Sequence, residues 1–376
     1  MRVFLPSHRR LALAGITFTL TFTTATLLWN RGREFGHEEA LRPTPGLALA
    51  PKIAIDTTDY AQKLAMLRAK LPTARTVEQK LALAGEFGEL ALGAHHRNQG
   101  EGKLSLMAYD EALALQRAVK DSRGEAGTLM NRATTVAMLG RPTEAEKDLR
   151  TALALYEVLP DSDLPQAEVL YRLGERLGVG GHYDEARTLL DRSLRIRQKK
   201  AEHNGEADCL AALGQLAYEE AQYALARQFL GQAAQSFAAL GKAPARAAVL
   251  GQLGDVALAE GELAEAEKCY GEGLAIWKEE KHELWIGKFL TRQARVALAR
   301  KQWDQAETLA QKSKQLMETS NGPTSVAGPL MVQAEVAAQR GDKVQAKVLL
   351  IAAQALHERA GRAFGLRRVE QQLQKL

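Results

Sequence analysis

A fixed internal period leaves this chain few folds to choose from. Gly181–Ile196 reads GHYDEARTLLDRSLRI, and eighty residues later Gly261–Trp277 reads GELAEAEKCYGEGLAIW. The small residue that follows the acidic one sets a register. It runs through Ser105, Ala145, Ala186, Ala226, Ala266, Ala306 and Ala346, at intervals of 40 or 41 residues. A period of this length marks a solenoid, in which each unit is too small to bury its own apolar face and buries it against its neighbours.

Other columns keep the same spacing. Before the register residue lies Leu-Gly in four copies: Leu92-Gly93, Leu173-Gly174, Leu213-Gly214 and Leu253-Gly254. Glycine stands five residues before it at Gly100, Gly140, Gly181, Gly261 and Gly341, and a large residue three before it at Tyr183, Tyr223, Leu263 and Trp303. Four after it come Tyr109, Leu149, Leu190, Leu230, Tyr270 and Leu350, and breakers such as DSRG, EHNG, GKAP and SNGP separate the copies. Each unit therefore reads as helix A, a turn with glycine, helix B and a breaker. Glycine ends helix A because the left-handed cap costs it nothing. The register alanine is small because helix B crosses helix A closely there. Abundant Ala and Leu with only 6% aromatics suit close-packed helices.

The pattern resembles the tetratricopeptide repeat, and Tyr171–Ile196, YRLGERLGVGGHYDEARTLLDRSLRI, carries nearly all of it. The long period is similar to the variety found in kinesin light chains and bacterial signalling proteins. Repeats six and seven depart from it, with Gln293-Ala294 and Gln333-Ala334 for Leu-Gly. The resemblance implies an all-α, right-handed solenoid of about seven hairpins over 57–376, with a helix over 57–72 before them and a capping helix over about 364–376 after them. It also implies that the A helices line a concave groove that binds protein or peptide. Carried onto this chain, the groove residues are Asn131, Thr134, Tyr171, Arg172, Glu175, Gln215, Tyr218, Gln252, Asp255, Lys288, Arg292, Arg295 and Glu335. Polar groups among them would bond a peptide backbone, and Tyr171 or Tyr218 would hold an apolar side chain. Lys288, Arg292 and Arg295 share one helix face and make a basic spot for an acidic partner. One subset of the family grips chaperone C-terminal carboxylates. Only Asn131 and Arg172 match its positions, and Glu168 in another would repel a carboxylate.

Net charge is +5, from 50 basic and 45 acidic residues. Arg2, Arg9, Arg10, Arg31 and Arg33, with no acid among residues 1–33, are the whole excess, so the body is neutral and does not read as a nucleic-acid binder. A basic start at 1–10 precedes nineteen uncharged residues, Leu11 to Trp29. As a helix they would span about 28 Å, close to a bilayer core. We read 11–29 as a transmembrane signal-anchor with the N-terminus cytoplasmic and the solenoid exported, and 30–56, with its three prolines, as a linker. A cleaved leader, leaving a secreted or periplasmic chain, is the alternative.

Motifs for chemistry are missing. His95-His96 is an adjacent pair, which points two ways on a helix and makes no shared metal site. GVGG at 178–181 lacks the Lys-Ser/Thr of a phosphate loop, and no Gly-x-Ser-x-Gly occurs. Cys209 and Cys269 fall at unrelated points of the repeat and are expected as free thiols. The expectation is a membrane-tethered adaptor with no cofactor, no metal and no catalysis. The alternatives are a peptide-sensing regulator and an exported binding or assembly-chaperone module.

Overall fold

The helix–turn–helix period appears in the backbone as two chain reversals per repeat. The computed structural model describes residues 60–95, 99–320 and 326–376, and among them it is helical throughout, with no strand. Helix α1 (Tyr60–Lys70) runs into a 3-10 turn, Leu71–Thr73. Seven hairpins follow: α2 (Val77–His95) with α3 (Gln99–Ala118), α4 (Ser122–Met138) with α5 (Pro142–Glu157), α6 (Asp163–Val179) with α7 (Tyr183–Lys199), and α8 (His203–Glu219) with α9 (Tyr223–Ala239). Then come α10 (Ala243–Ala259) with α11 (Leu263–Glu279), α12 (Glu283–Ala299) with α13 (Trp303–Thr319), and α14 (Ala327–Gln339) with α15 (Lys343–Ala360), before a single helix α16 (Ala363–Gln374). Segments 11–29 and 30–56 lie outside the described residues. Among the described residues no helix is long and apolar enough to cross a membrane.

The reversals use left-handed residues. Between A and B helices these are Gly140, Gly181, Ala221, Gly261, Lys301 and Gly341, at φ of 59° to 87°. The Gln222 and Gln302 amides reach back to Ala217 O (2.8 Å) and Ala297 O (2.9 Å), closing the same six-residue loop as His182 N to Leu177 O (2.9 Å). Glycine is thus favoured there but not required, because alanine and lysine stand in the same conformation. Gly100 departs from the expected pattern: it lies inside α3, one residue after that helix begins.

All seven register residues sit on the second helix of a hairpin, at 0–1% exposure. In three of the four Leu-Gly copies a side chain on the glycine of helix A would collide with the residue one turn after the register position on helix B, whereas at Gly93 it would meet Tyr60 of α1. A Cβ on Gly174 would lie 2.8 Å from Leu190 Cγ, on Gly214 2.6 Å from Leu230 Cγ, and on Gly254 2.4 Å from Tyr270 Cε1. A second small column, two turns after the register position, marks another close crossing: Ala112, Ala152, Ser193, Ala233, Gly273, Ser313 and Ala353. Ser193 and Ser313 each donate a hydroxyl to a helix A carbonyl, Ala167 O and Gly287 O, at 2.6 Å. Buried hydroxyls need such a partner.

Consecutive A helices touch one another, α8 with α10, α10 with α12 and α12 with α14, whereas B helices make no comparable contact. The A helices therefore form the tighter, inner side of the curve. Curvature brings the last hairpin round toward earlier ones. Gly361 lies against Pro142, with a Cβ position 3.7 Å from Pro142 Cγ, and the Gly181 Cβ position is 3.1 Å from Ala363 Cβ.

Candidate functional site

The A-helix wall carries the sequence-derived groove residues in order. Asn131 and Thr134 stand on α4, Tyr171, Arg172 and Glu175 on α6, Gln215 and Tyr218 on α8, Gln252 and Asp255 on α10, Lys288, Arg292 and Arg295 on α12, and Glu335 on α14. None is fully exposed. Three of the roles expected of them differ in the structure.

Tyr171 is only 6% exposed, with the Arg197 guanidinium 5.7 Å from its ring centre, so it is part of the wall and not a pocket for a side chain. Arg172, 8% exposed, is committed to Glu168 at 2.5 Å and to Met130 O and Thr134 Oγ1 at 3.3 and 3.4 Å. Burial brings its pKa down to about 9. Glu168 also accepts from Arg197 at 2.8 Å. Its charge is thus neutralised from two sides, and it does not present the repulsive carboxylate that its position suggested. Tyr218 is covered by Phe364 of α16, ring centres 5.6 Å apart.

The basic spot on α12 is partly neutralised within the wall. Asp255 accepts from Arg292 Nε at 3.0 Å, from an Arg295 terminal nitrogen at 2.7 Å and from the Tyr270 hydroxyl at 2.9 Å. Burial pushes the Asp255 carboxyl up, but the two guanidinium charges and the hydrogen bonds outweigh it and hold it below the usual carboxylate range. Asp255 and Arg295 occupy the same repeat column one unit apart. Lys288 places its ammonium 4.2 Å from the Trp285 ring centre, a cation–π contact.

These residues open onto a cavity of about 500 Å³ between the inner faces of α10, α12 and α14 and the last two helices. The terminal helix does more than close the end of the stack. Val369 is fully buried, Gln372 donates to Glu335 at 3.0 Å, and Arg367 hydrogen-bonds the Tyr183 hydroxyl and lies 5.3 Å from that ring's centre. Helix α16 therefore lies across the inner face from the seventh hairpin to the third and fourth. Arg362 and Arg368 enter the cavity from its side. The surplus of basic residues over 357–376 is visible in the sequence and reads as an outward contact surface, not as groups turned into the solenoid. Among the described residues no group of three or more His, Cys, Asp or Glu side chains converges as a metal site, and Cys209 and Cys269 are buried free thiols.

Comparison with known proteins agrees with this geometry. Residues 88–158 match the family model of the tetratricopeptide repeat. No curated protein matches the chain in sequence. The fold is similar to that of RapI in its apo form (15% identity, TM-score 0.60, covering 78% of this chain and 99% of that one). It is also similar to a Rap protein complexed with competence and sporulation factor (16% identity, TM-score 0.59, 83% and 81%). Aspartyl phosphate phosphatase F from Bacillus subtilis shares it too (13% identity, TM-score 0.58, 80% and 79%). At these identities the likeness is one of fold: an all-helical tetratricopeptide-like solenoid.

Proposed function

We propose that the chain is a membrane-tethered adaptor that binds a protein or peptide on the inner face of its solenoid, and that it is not an enzyme. The observation that carries this reading is the wall itself. Consecutive A helices set half-buried polar and basic side chains along one inner surface, and that surface opens into a cavity large enough for several side chains. Tethering rests on the uncharged stretch Leu11 to Trp29 with arginines on both flanks, the N-terminus cytoplasmic and the solenoid exported. Retention of the full chain in membrane pellets after alkaline extraction, with the solenoid digested by protease added outside, is the expected result. A chain released by alkali would remove the tether and leave an exported binding module.

Binding is tested by probing a peptide array with the detergent-solubilised full chain and with its Gln252→Ala/Lys288→Glu variant. The reading requires a defined set of peptides that the variant loses. An identical pattern with both chains would sink it. A second reading, a regulator that senses a peptide, is favoured by α16 lying on the inner face, where a ligand and this helix meet. One structurally similar protein, a Rap conjugation gene regulator, is seen in complex with the Phr* peptide, and another Rap protein is complexed with competence and sporulation factor. The regulator predicts a changed small-angle scattering profile on peptide addition, and a passive adaptor predicts none.

A further inference from the structure

The cavity is unevenly charged. Lys288, Arg292, Arg295, Arg362 and Arg368 face it against two carboxylates, Asp255 and Glu335. Both carboxylates are committed, Asp255 to Arg292, Arg295 and Tyr270, and Glu335 to Gln372. Arg368 is not matched in this way. Its guanidinium makes no hydrogen bond or ion pair among the described residues, and it lies 6.0 Å from the centre of the Phe364 ring. The charge of Arg295, and then burial, pull its pKa down to about 10. Arg295 lines the same cavity but shares Asp255 with Arg292, so Arg368 is the guanidinium there that an incoming anion would match.

A second group points the same way. His357 is 8% exposed, lines the same cavity, and its Nδ1 has no hydrogen-bond partner among the described residues. Burial, and then the charge of Arg368, lower its pKa, and the unpartnered nitrogen is sealed beneath helix α16, so the ring meets the cavity as an uncharged, largely apolar wall beside Arg368. Helix α16 sits directly on this imidazole. A Cβ on Gly365 would fall 2.4 Å from Nδ1, so only glycine lets the helix come close enough to present Arg368. Apart from Thr291 and Gln372 the remaining lining is apolar, including Leu258, Leu298, Met317, Met331 and Val332. A bare inorganic anion leaves that surface unused, and an uncharged apolar ligand leaves the guanidinium unmatched.

We infer that this cavity is a binding site for a carboxylate carried on an apolar body, with Arg368 gripping the carboxylate, His357 beside it, and the apolar body against Met317, Met331 and Val332. The ligand bridges α14 to α16 and clamps the terminal helix onto the inner face. The site deepens the peptide-binding reading if the carboxylate is that of a peptide, yet it stands without that reading if the ligand is a free amphipathic acid.

Calorimetry on the detergent-solubilised full chain tests it with four probes: N-acetyl-trileucine with a free carboxylate, the same peptide as its amide, octanoate and inorganic phosphate. The free-acid peptide is expected to bind. Arg368→Gln should weaken it at least tenfold, whereas Arg367→Gln, one residue away and directed at Tyr183, should leave it unchanged. Binding should also slow amide hydrogen exchange in α16. Octanoate binding without peptide binding keeps the site and assigns it to free acids, while the peptide array separately decides the docking wall. Equal binding of acid and amide, equal binding by Arg368→Gln, or phosphate binding as tightly as the acid would each overturn the assignment.

Discussion

Replacing Gly214 by alanine tests the helix crossing that sets the repeat. Gly214 is buried in α8, and a Cβ there would lie 2.6 Å from Leu230 Cγ, 2.9 Å from Leu230 Cδ2 and 3.2 Å from the Leu230 backbone nitrogen. The leucine tip would have to turn, and Leu230 itself is fully buried. The backbone nitrogen moves only if α9 moves as a body. Overpacking of this kind costs about 1–3 kcal/mol. Against it stands the gain of about 1 kcal/mol for alanine over glycine inside a helix. The expected net effect is a loss of up to about 2 kcal/mol. Gly271→Ala is the control, because nothing lies within 4 Å of its Cβ position in α11, so only the gain of about 0.5–1 kcal/mol remains. Urea unfolding followed by circular dichroism reads both variants, and hydrogen exchange of α8 and α9 localises the first, since arrays of repeats need not unfold in one step. Opposite signs are expected. Equal stabilisation by the two substitutions would refute the claim that the Leu-Gly column exists for close approach.

Ala266→Leu, at a fully buried register position, should destabilise by roughly 1–3 kcal/mol in the same assay, and an unchanged midpoint counts against the register. Ala221→Gly and Lys301→Gly relieve residues held at φ 59° and should each stabilise by up to about 1 kcal/mol, measured as a higher urea midpoint at constant m-value. Asp255 has a depressed pKa in the folded state, so its contribution is full above the unfolded carboxylate value of about 4 and is lost as pH falls through the folded one. Stability should accordingly drop less between pH 7 and pH 3 in Asp255→Asn, which starts lower because two arginines lose their anionic partner. A parallel pH profile would contradict this. Burial, then neighbouring Glu265, pushes the Cys269 thiol up to about 11, and Cys209 is fully buried. Neither should react with a thiol reagent at neutral pH until urea unfolds the chain.

The repeat is written into the sequence: its length, its two helices, the small columns that let them cross, and the turns at which the chain reverses. These are local matters, and every one recurs within a single period. Even the pairing of Asp255 with Arg295 was legible in principle, because the two hold the same column one repeat apart. What each groove residue faces is a matter of packing between units. Tyr171 and Arg172 read as groove residues from their register, but Glu168, one turn earlier on α6, and Arg197, brought over by the packing of α7 on α6, draw them into the wall. The contacts of α16 are less local still. Arg367 meets Tyr183 across 184 residues, and Phe364 meets Tyr218. No local pattern encodes those meetings, since they come from small rotations added repeat by repeat until the last hairpin faces the third. That sum, and not any single motif, places Arg368 beside Arg295 and makes the cavity.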